Sequence, residues 1–246
     1  MSAISLLDIQ NKLFKALTEF DIICQKSGCK YSLMCGTLLG AVRHSGFIPW
    51  DDDVDVVMYR TEFEKLRSFC YNNKSISPTF LDEKDTWVPR IRIDASKEIF
   101  VDIFILDKIA PTINQQKRNL FKLKLLQGML KKDINYKRYS FINKLLVLVT
   151  HCIGLLFPFD WKYNKYHQIA TKYNDSETDD FYIADGAFSV MSIIWNNIEF
   201  SNSHPTKFRD KEFLITDKYK SVLTKLYGPT YMELPPEVER IPKHSN

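Results

Sequence analysis

The sequence has no apolar run of the ~18–20 residues that a bilayer crossing needs, and no basic-then-apolar segment near its start. It is expected to be a cytoplasmic protein. It also has no internal repeat and no low-complexity tract, which sets aside solenoids and disordered tails. There is no Cys-x-x-Cys pair. The cysteines, Cys24, Cys29, Cys35, Cys70 and Cys152, are odd in number and irregularly spaced, as expected of free thiols in a reducing compartment. His44, His151, His167, His204 and His244 are scattered, so no zinc set is suggested. An excess of one sign of charge is nearly absent too, with 34 Lys and Arg against 30 Asp and Glu. A net charge of +4 is too mild to imply nucleic acid, and none is expected as a partner. What is present is an ordinary core: 246 residues, 45% hydrophobic and 13% aromatic, enough for one large domain or two small ones.

The stretch Cys35–Met58, CGTLLGAVRHSGFIPWDDDVDVVM, organises the remainder. It runs from a Gly-Thr turn through Arg43-His44 and a Pro49-Trp50 corner into Asp51, Asp52, Asp53 and Asp55. Acidic clusters are usually solvated turns or helix starts. Here Asp53 and Asp55 alternate with Val54 and Val56, so on a strand the two carboxylates share one face. Their Cα atoms would lie about 6.6 Å apart, close enough for both to converge on a hard cation. Such a cation would relieve both their mutual repulsion and their lost hydration.

Before this stretch, apolar residues at steps of three or four predict a helix over 4–26 that ends at Gly28. Tyr31–Cys35 reads as a strand ending at Gly36-Thr37, with a helix from Leu38 that Thr37 caps; N–H groups there would face an anion. The acidic strand is placed at about Asp53–Met58, and Thr61 and Glu64 are read as a capping box opening the next helix. Val88–Asp94 alternates, with Arg90, Arg92 and Asp94 on one side. Ile99–Leu106 is apolar except for Asp102. A carboxylate inside such a strand binds metal, does chemistry, or forms a structural ion pair with Arg90 or Arg92.

The character changes after Pro111. Between Gln115 and Lys144 nine residues are basic and one, Asp133, is acidic; Leu145–Phe157 is then strongly apolar. This reads as a solvated basic helix followed by a buried one, as a helix pair resting on an anionic membrane surface, or as a track for an anionic polymer. Trp161–Tyr173 and Lys218–Tyr227 read as helices, with a short hairpin over Phe208–Ile215. The organisation expected is a core over 1–110, a basic and apolar helical segment over 111–180, and a segment over 181–246 that packs back on the core.

Residues 36–55, Gly-Thr-Leu-Leu-Gly-Ala-Val-Arg-His-x-Gly-Phe-Ile-Pro-Trp-Asp-Asp-Asp-x-Asp, resemble the signature of the LicD family, bacterial cholinephosphotransferases of lipopolysaccharide and teichoic acid. The pattern is also similar to that of the fukutin-type ribitol-phosphate transferases. Leu226-Tyr-Gly-x-x-Tyr-Met-x-Leu-Pro-Pro236 resembles the family's closing motif. The likeness covers about residues 30–107 and 208–236.

The resemblance implies an α+β, nucleotidyltransferase-like fold: a mixed β-sheet flanked by helices, with a largely helical C-terminal part. It implies Mg²⁺ or Mn²⁺ held by Asp53, Asp55 and Asp102, with Asp51 matching the first acid of the family's triplet. The activity implied is transfer of a substituted phosphate of the phosphocholine type from a CDP-linked donor to a glycan hydroxyl, releasing CMP. Asp102 would also take the proton of that hydroxyl. Gly36 and Thr37 would hold phosphate, and Arg43, Arg90 and Arg92 would clamp the diphosphate. His44 would orient an Asp or phosphate, or else be a helix-end surface residue; Trp50 would stack on the base, though packing is favoured for it. A lipid-linked acceptor would bring the protein to the inner face of the membrane. The alternative is nucleotidyl transfer to a small molecule or RNA.

Overall fold

The computed structural model of the chain describes residues 5–73, 80–83, 87–92, 99–131, 141–188 and 190–242. The contacts divide the chain into two compact units. The first takes residues 1–82, 89–106 and 196–246; the second takes 83–88 and 107–195.

The first unit opens with α1 (Leu6–Ser27), which buries Leu13, Ala16, Leu17, Phe20, Ile23 and Cys24 along one stripe. Ser5 caps it, accepting from Asp8 N at 3.1 Å, and Gly28 ends it at φ +65°. The short strand β1 (Ser32–Leu33) leads into α2 (Cys35–His44). The helix therefore starts three residues earlier than the sequence suggests. Its N-cap is Met34, with no side-chain cap, and Thr37 is inside the first turn.

Next come β2 (Asp55–Tyr59), α3 (Arg60–Asn72), β3 (Phe80–Asp82), β4 (Arg90–Arg92) and β5 (Phe100–Lys108). The capping box expected at Thr61 does not form, because α3 begins at Arg60 behind Tyr59, which makes no side-chain cap bond. Ile93 and Asp94, read as the end of the alternating strand, lie outside the described residues.

These strands form a mixed sheet in the order β1-β2-β5-β4-β3. Within this order β2 and β5 run parallel and the other neighbours antiparallel. That central pair is buried through Val56, Val57, Ile103 and Ile105, as expected for strands covered on both faces.

The second unit holds α4 (Ile113–Leu130), α5 (Phe141–Gly154), α6 (Phe159–Ala170) and the paired short strands β6 (Asp180–Ile183) and β7 (Trp195–Asn196). Its core gathers Leu123, Leu126 and Leu130 of α4 with Tyr163 and Tyr166 of α6 and Tyr182 of β6. α4 packs on both α5 and α6. The α4–α5 crossing is tight: a Cβ on Gly128 would lie 2.2 Å from Thr150 Oγ1.

The chain then returns to the first unit with the hairpin β8 (Ser203–Phe208) and β9 (Lys211–Thr216), followed by α7 (Tyr219–Tyr227). Phe208 and Phe213 pack edge to face at 6.0 Å, and Phe14 and Phe47 join them. The Ser32 hydroxyl accepts from Thr216 N at 2.9 Å, tying β9 to β1.

Candidate active site

The parallel register aligns Asp55 of β2 with Asp102 of β5. Directly paired residues on neighbouring strands, about 4.8 Å apart, project to the same face of a sheet. The antiparallel register on the other side aligns Arg90 of β4 with Asp102. The result is a row, Asp55–Asp102–Arg90, across three strands. The Arg90 guanidinium donates to Asp102 at 2.6 Å and lies 3.9 Å from the Phe100 ring centre. Of the readings left open by its sequence setting, Asp102 forms the ion pair with Arg90, and it is paired in register with Asp55.

The backbone around Asp55 is fixed on every side. Its N–H donates to Thr37 Oγ1 at 2.9 Å, and its carbonyl accepts from Met34 N at 3.0 Å. One residue earlier, the Val54 carbonyl accepts from Asp102 N at 2.9 Å. Asp53 comes before the first residue of β2, in extended chain. The buried Gln10 of α1 donates to the carbonyls of Ile48 and Asp51 at 3.2 and 2.9 Å, holding the corner that delivers the acidic run. Gly36 makes this close approach feasible, since a Cβ there would sit 2.6 Å from Asp51 Oδ2.

The electrostatics are those of crowded carboxylates. Burial pushes the Asp55 carboxyl well up, and Asp53, Asp102 and Asp51 push it further; a hydrogen bond with Cys35 opposes them. Burial also raises the Cys35 thiol, followed by the charges of Asp55 and Asp53. The Tyr227 phenol at the end of α7 is in the same field, raised by burial and then by Cys35, Asp55, Asp51 and Asp53. Sequence reasoning assigned no role to Cys35 or Tyr227. Tyr227 does fall in the closing motif, and Cys35 adjoins Gly36, so position in a motif was the available signal. Cys35 also holds φ +49°, a left-handed backbone unusual for a residue with a side chain.

The other expected residues are placed differently. Thr37 is buried at 1% exposure, with its hydroxyl accepting from Asp55 N. In this structure it is a positioning residue for Asp55 and not the helix cap. Arg43 and His44 occupy the last turn of α2, about 10 Å of helix from Gly36. Arg43 donates through Nη1 to the carbonyls of Tyr231 and Glu233, at 3.0 and 2.9 Å, and through Nε to His44 Nε2. Burial and then Arg43 lower the His44 pKa. Arg92 is fully buried and donates to Asp82 at 2.9 Å. Arg240 lies 5.7 Å over the Trp50 ring.

Among the described residues, no group of three or more His, Cys, Asp or Glu side chains is already arranged to hold a metal ion. The donor chemistry nevertheless fits a hard divalent cation. Asp51, Asp53, Asp55 and Asp102 repel one another around the buried Asp55 and offer oxygen ligands.

The family model described as LicD/FKTN/FKRP, nucleotidyltransferase domain, matches residues 28–143, which contain every element of this site except α1 and α7. Residues 28–143, a little under half of the chain, are thus similar to the LicD family. Beyond these residues the similarity to one relative continues. The lipopolysaccharide cholinephosphotransferase LicD of Haemophilus influenzae is 27% identical over 268 aligned positions, covering 99% of this chain and 97% of that protein. An uncharacterized protein of Rickettsia prowazekii is 33% identical over 96 residues, 39% of this chain and 34% of its own. The closing motif lies outside the family-model match and inside the span aligned with the Haemophilus protein, and Tyr227 lies in that span.

Proposed function

We propose that this protein is a phosphotransferase that moves a substituted phosphate of the phosphocholine type from a CDP-linked donor to a hydroxyl of a lipopolysaccharide-type glycan, releasing CMP. The observation that carries the reading is the Asp55–Asp102 pair on adjacent parallel strands, beside Asp53 and Asp51. Near full-length similarity to a lipopolysaccharide cholinephosphotransferase supports the transferred group and the class of acceptor.

The acceptor oxygen attacks the phosphorus that bears the headgroup, and the phosphorus–oxygen bond to CMP breaks. Asp102, oriented by Arg90, takes the proton of the attacking hydroxyl. The first-turn N–H groups of α2, at Gly36 and Thr37, have no carbonyl ahead of them in the helix and are suited to phosphate oxygens. Asp53 and Asp55, with Asp51 and Asp102 beside them, would hold Mg²⁺ or Mn²⁺, which when bound offsets the charge of the diphosphate. An acceptor built on lipid would place this work at the inner face of the membrane.

The test incubates the chain with Mg²⁺, CDP-choline and lipopolysaccharide, and reads both CMP release and acceptor mass. Asp53→Asn and Asp55→Asn should each cut turnover by about a hundredfold or more. Near-wild-type turnover in Asp53→Asn would overturn the metal assignment. The name of the matched domain keeps nucleotidyl transfer as the second reading. An acceptor that gains the nucleotide, instead of the phosphate with its headgroup, would decide for it.

A further inference from the structure

α5 is apolar on the side turned to solvent. Leu145, Leu146, Val149 and Ile153 are 57, 56, 47 and 45% exposed, and Leu155 and Leu156, just past the helix, reach 72 and 80%. Its inner side buries Val147, Thr150 and Gly154, with the Thr150 hydroxyl satisfied by the Leu146 and Val147 carbonyls. A contiguous apolar face of this kind, exposed on one helix and the corner after it, marks a surface that is covered by a partner or lies against lipid.

The corner after α5 is braced. The buried Lys162 of α6 donates to the Gly154 and Met129 carbonyls at 2.8 and 3.1 Å. Phe157 stacks on Trp161 with ring centres 4.7 Å apart, leaving the indole 47% exposed at the edge of the apolar surface. Amphipathic aromatic rings favour that position at a water–lipid boundary.

Charge identifies the covering phase. Residues 107–173 contain thirteen Lys and Arg against Asp107, Asp133 and Asp160, so the positive charge of a chain with net +4 is concentrated around this surface in sequence. No Asp or Glu occurs from Ile134 to Phe159. The rim of a protein interface is polar and of mixed sign, whereas an anionic lipid surface calls for apolar side chains flanked by cations alone, which is the pattern of this segment.

Among the described residues, no single helix is long and apolar enough to cross a bilayer. The consecutive segments 144–154 and 159–170 pass by composition together, and turn 119° at the corner.

We propose that α5 and the α5–α6 corner are a membrane-docking surface that seats in the headgroup region of an anionic bilayer, lying in its plane with Leu155 and Leu156 deepest and Trp161 at the boundary. The surface belongs to the second unit alone, and the proposal stands apart from the transferase reading.

The test sediments the full chain with vesicles of phosphatidylcholine, alone or with phosphatidylglycerol, in the absence of donor and acceptor. The wild-type chain should sediment with the anionic vesicles and shift its tryptophan emission to the blue. Leu155→Glu/Leu156→Glu, at positions already exposed and so compatible with folding, should lower the bound fraction about tenfold. Trp161→Phe should keep binding and lose most of the emission shift. A wild-type chain that stays in the supernatant overturns the proposal. So does a double variant that binds as the wild type does, or self-association that Leu156→Glu abolishes while vesicles go unbound.

Discussion

Replacing Thr37 by valine isolates the contact that fixes the central aspartate. Valine nearly matches threonine in shape and deletes only the hydroxyl. Thr37 is 1% exposed, and its oxygen accepts from Asp55 N at 2.9 Å. In Thr37→Val that N–H faces a methyl group in a site closed to water. Leaving a buried donor unsatisfied costs about 1–3 kcal/mol. For a chain of this size, ~2 kcal/mol corresponds to a fall in Tm of about 4–8 °C. Thr37→Ser keeps the acceptor and loses one methyl, about 0.8 kcal/mol and a fall of roughly 2–3 °C. The two variants should separate further in turnover. A shift of the Asp55 backbone by a fraction of an ångström displaces its carboxylate from Asp102, so kcat should fall about 10- to 100-fold in Thr37→Val and stay near wild type in Thr37→Ser. Thermal denaturation and CMP release, measured on both variants, check this. If Thr37→Ser proves as damaging as Thr37→Val in either assay, the bond to Asp55 is not what Thr37 supplies.

Two further outcomes follow from local geometry. Cys35 holds φ +49°, so Cys35→Gly should be more stable than Cys35→Ala by about 1 kcal/mol, the reverse of the usual order of those residues, as chemical denaturation would show. Glu199 is buried, which pushes its carboxyl up, but bonds from Lys225, Ser221 and Asn196 N outweigh burial and hold it below the usual range. Its folded pKa is depressed, so the stability it contributes is present above the unfolded value of about 4.3 and lost as pH falls through the folded value. Glu199→Gln should therefore flatten the acid limb of a stability-against-pH curve, and an unchanged limb would refute this.

Elements set by side-chain periodicity were legible in the sequence. α1 and α7 lie within a few residues of the expected spans, because their apolar spacing and closing glycines are local signals. The alternation of Asp with Val put Asp55 on a strand, though β2 begins there and not at Asp53, and the apolar run 99–106 put Asp102 on another; the register sets them side by side. Starts of elements were harder to read. α2 takes in Cys35–Thr37 because the Asp55 N–H draws the Thr37 hydroxyl into the fold, so a side chain that could have capped the helix is used elsewhere. Arg43 could not be placed from sequence, since its partners at 231 and 233 are far along the chain. Tyr227 was hidden for the same reason, and the discontinuity of the first unit depends on long-range contacts that composition does not encode.

That discontinuity matters on the ribosome. β1 meets β9 only after residues 107–195 have been synthesised, and until then the Ser32 side of the sheet remains an open edge in the nascent chain. At about 5–20 residues per second, several seconds separate the emergence of β5 from that of the hairpin. The second unit can finish folding first, while the strands that carry Asp55 and Asp102 await their final neighbour. Stalling translation within residues 107–195 should therefore leave the first unit exposed to proteases and chaperones.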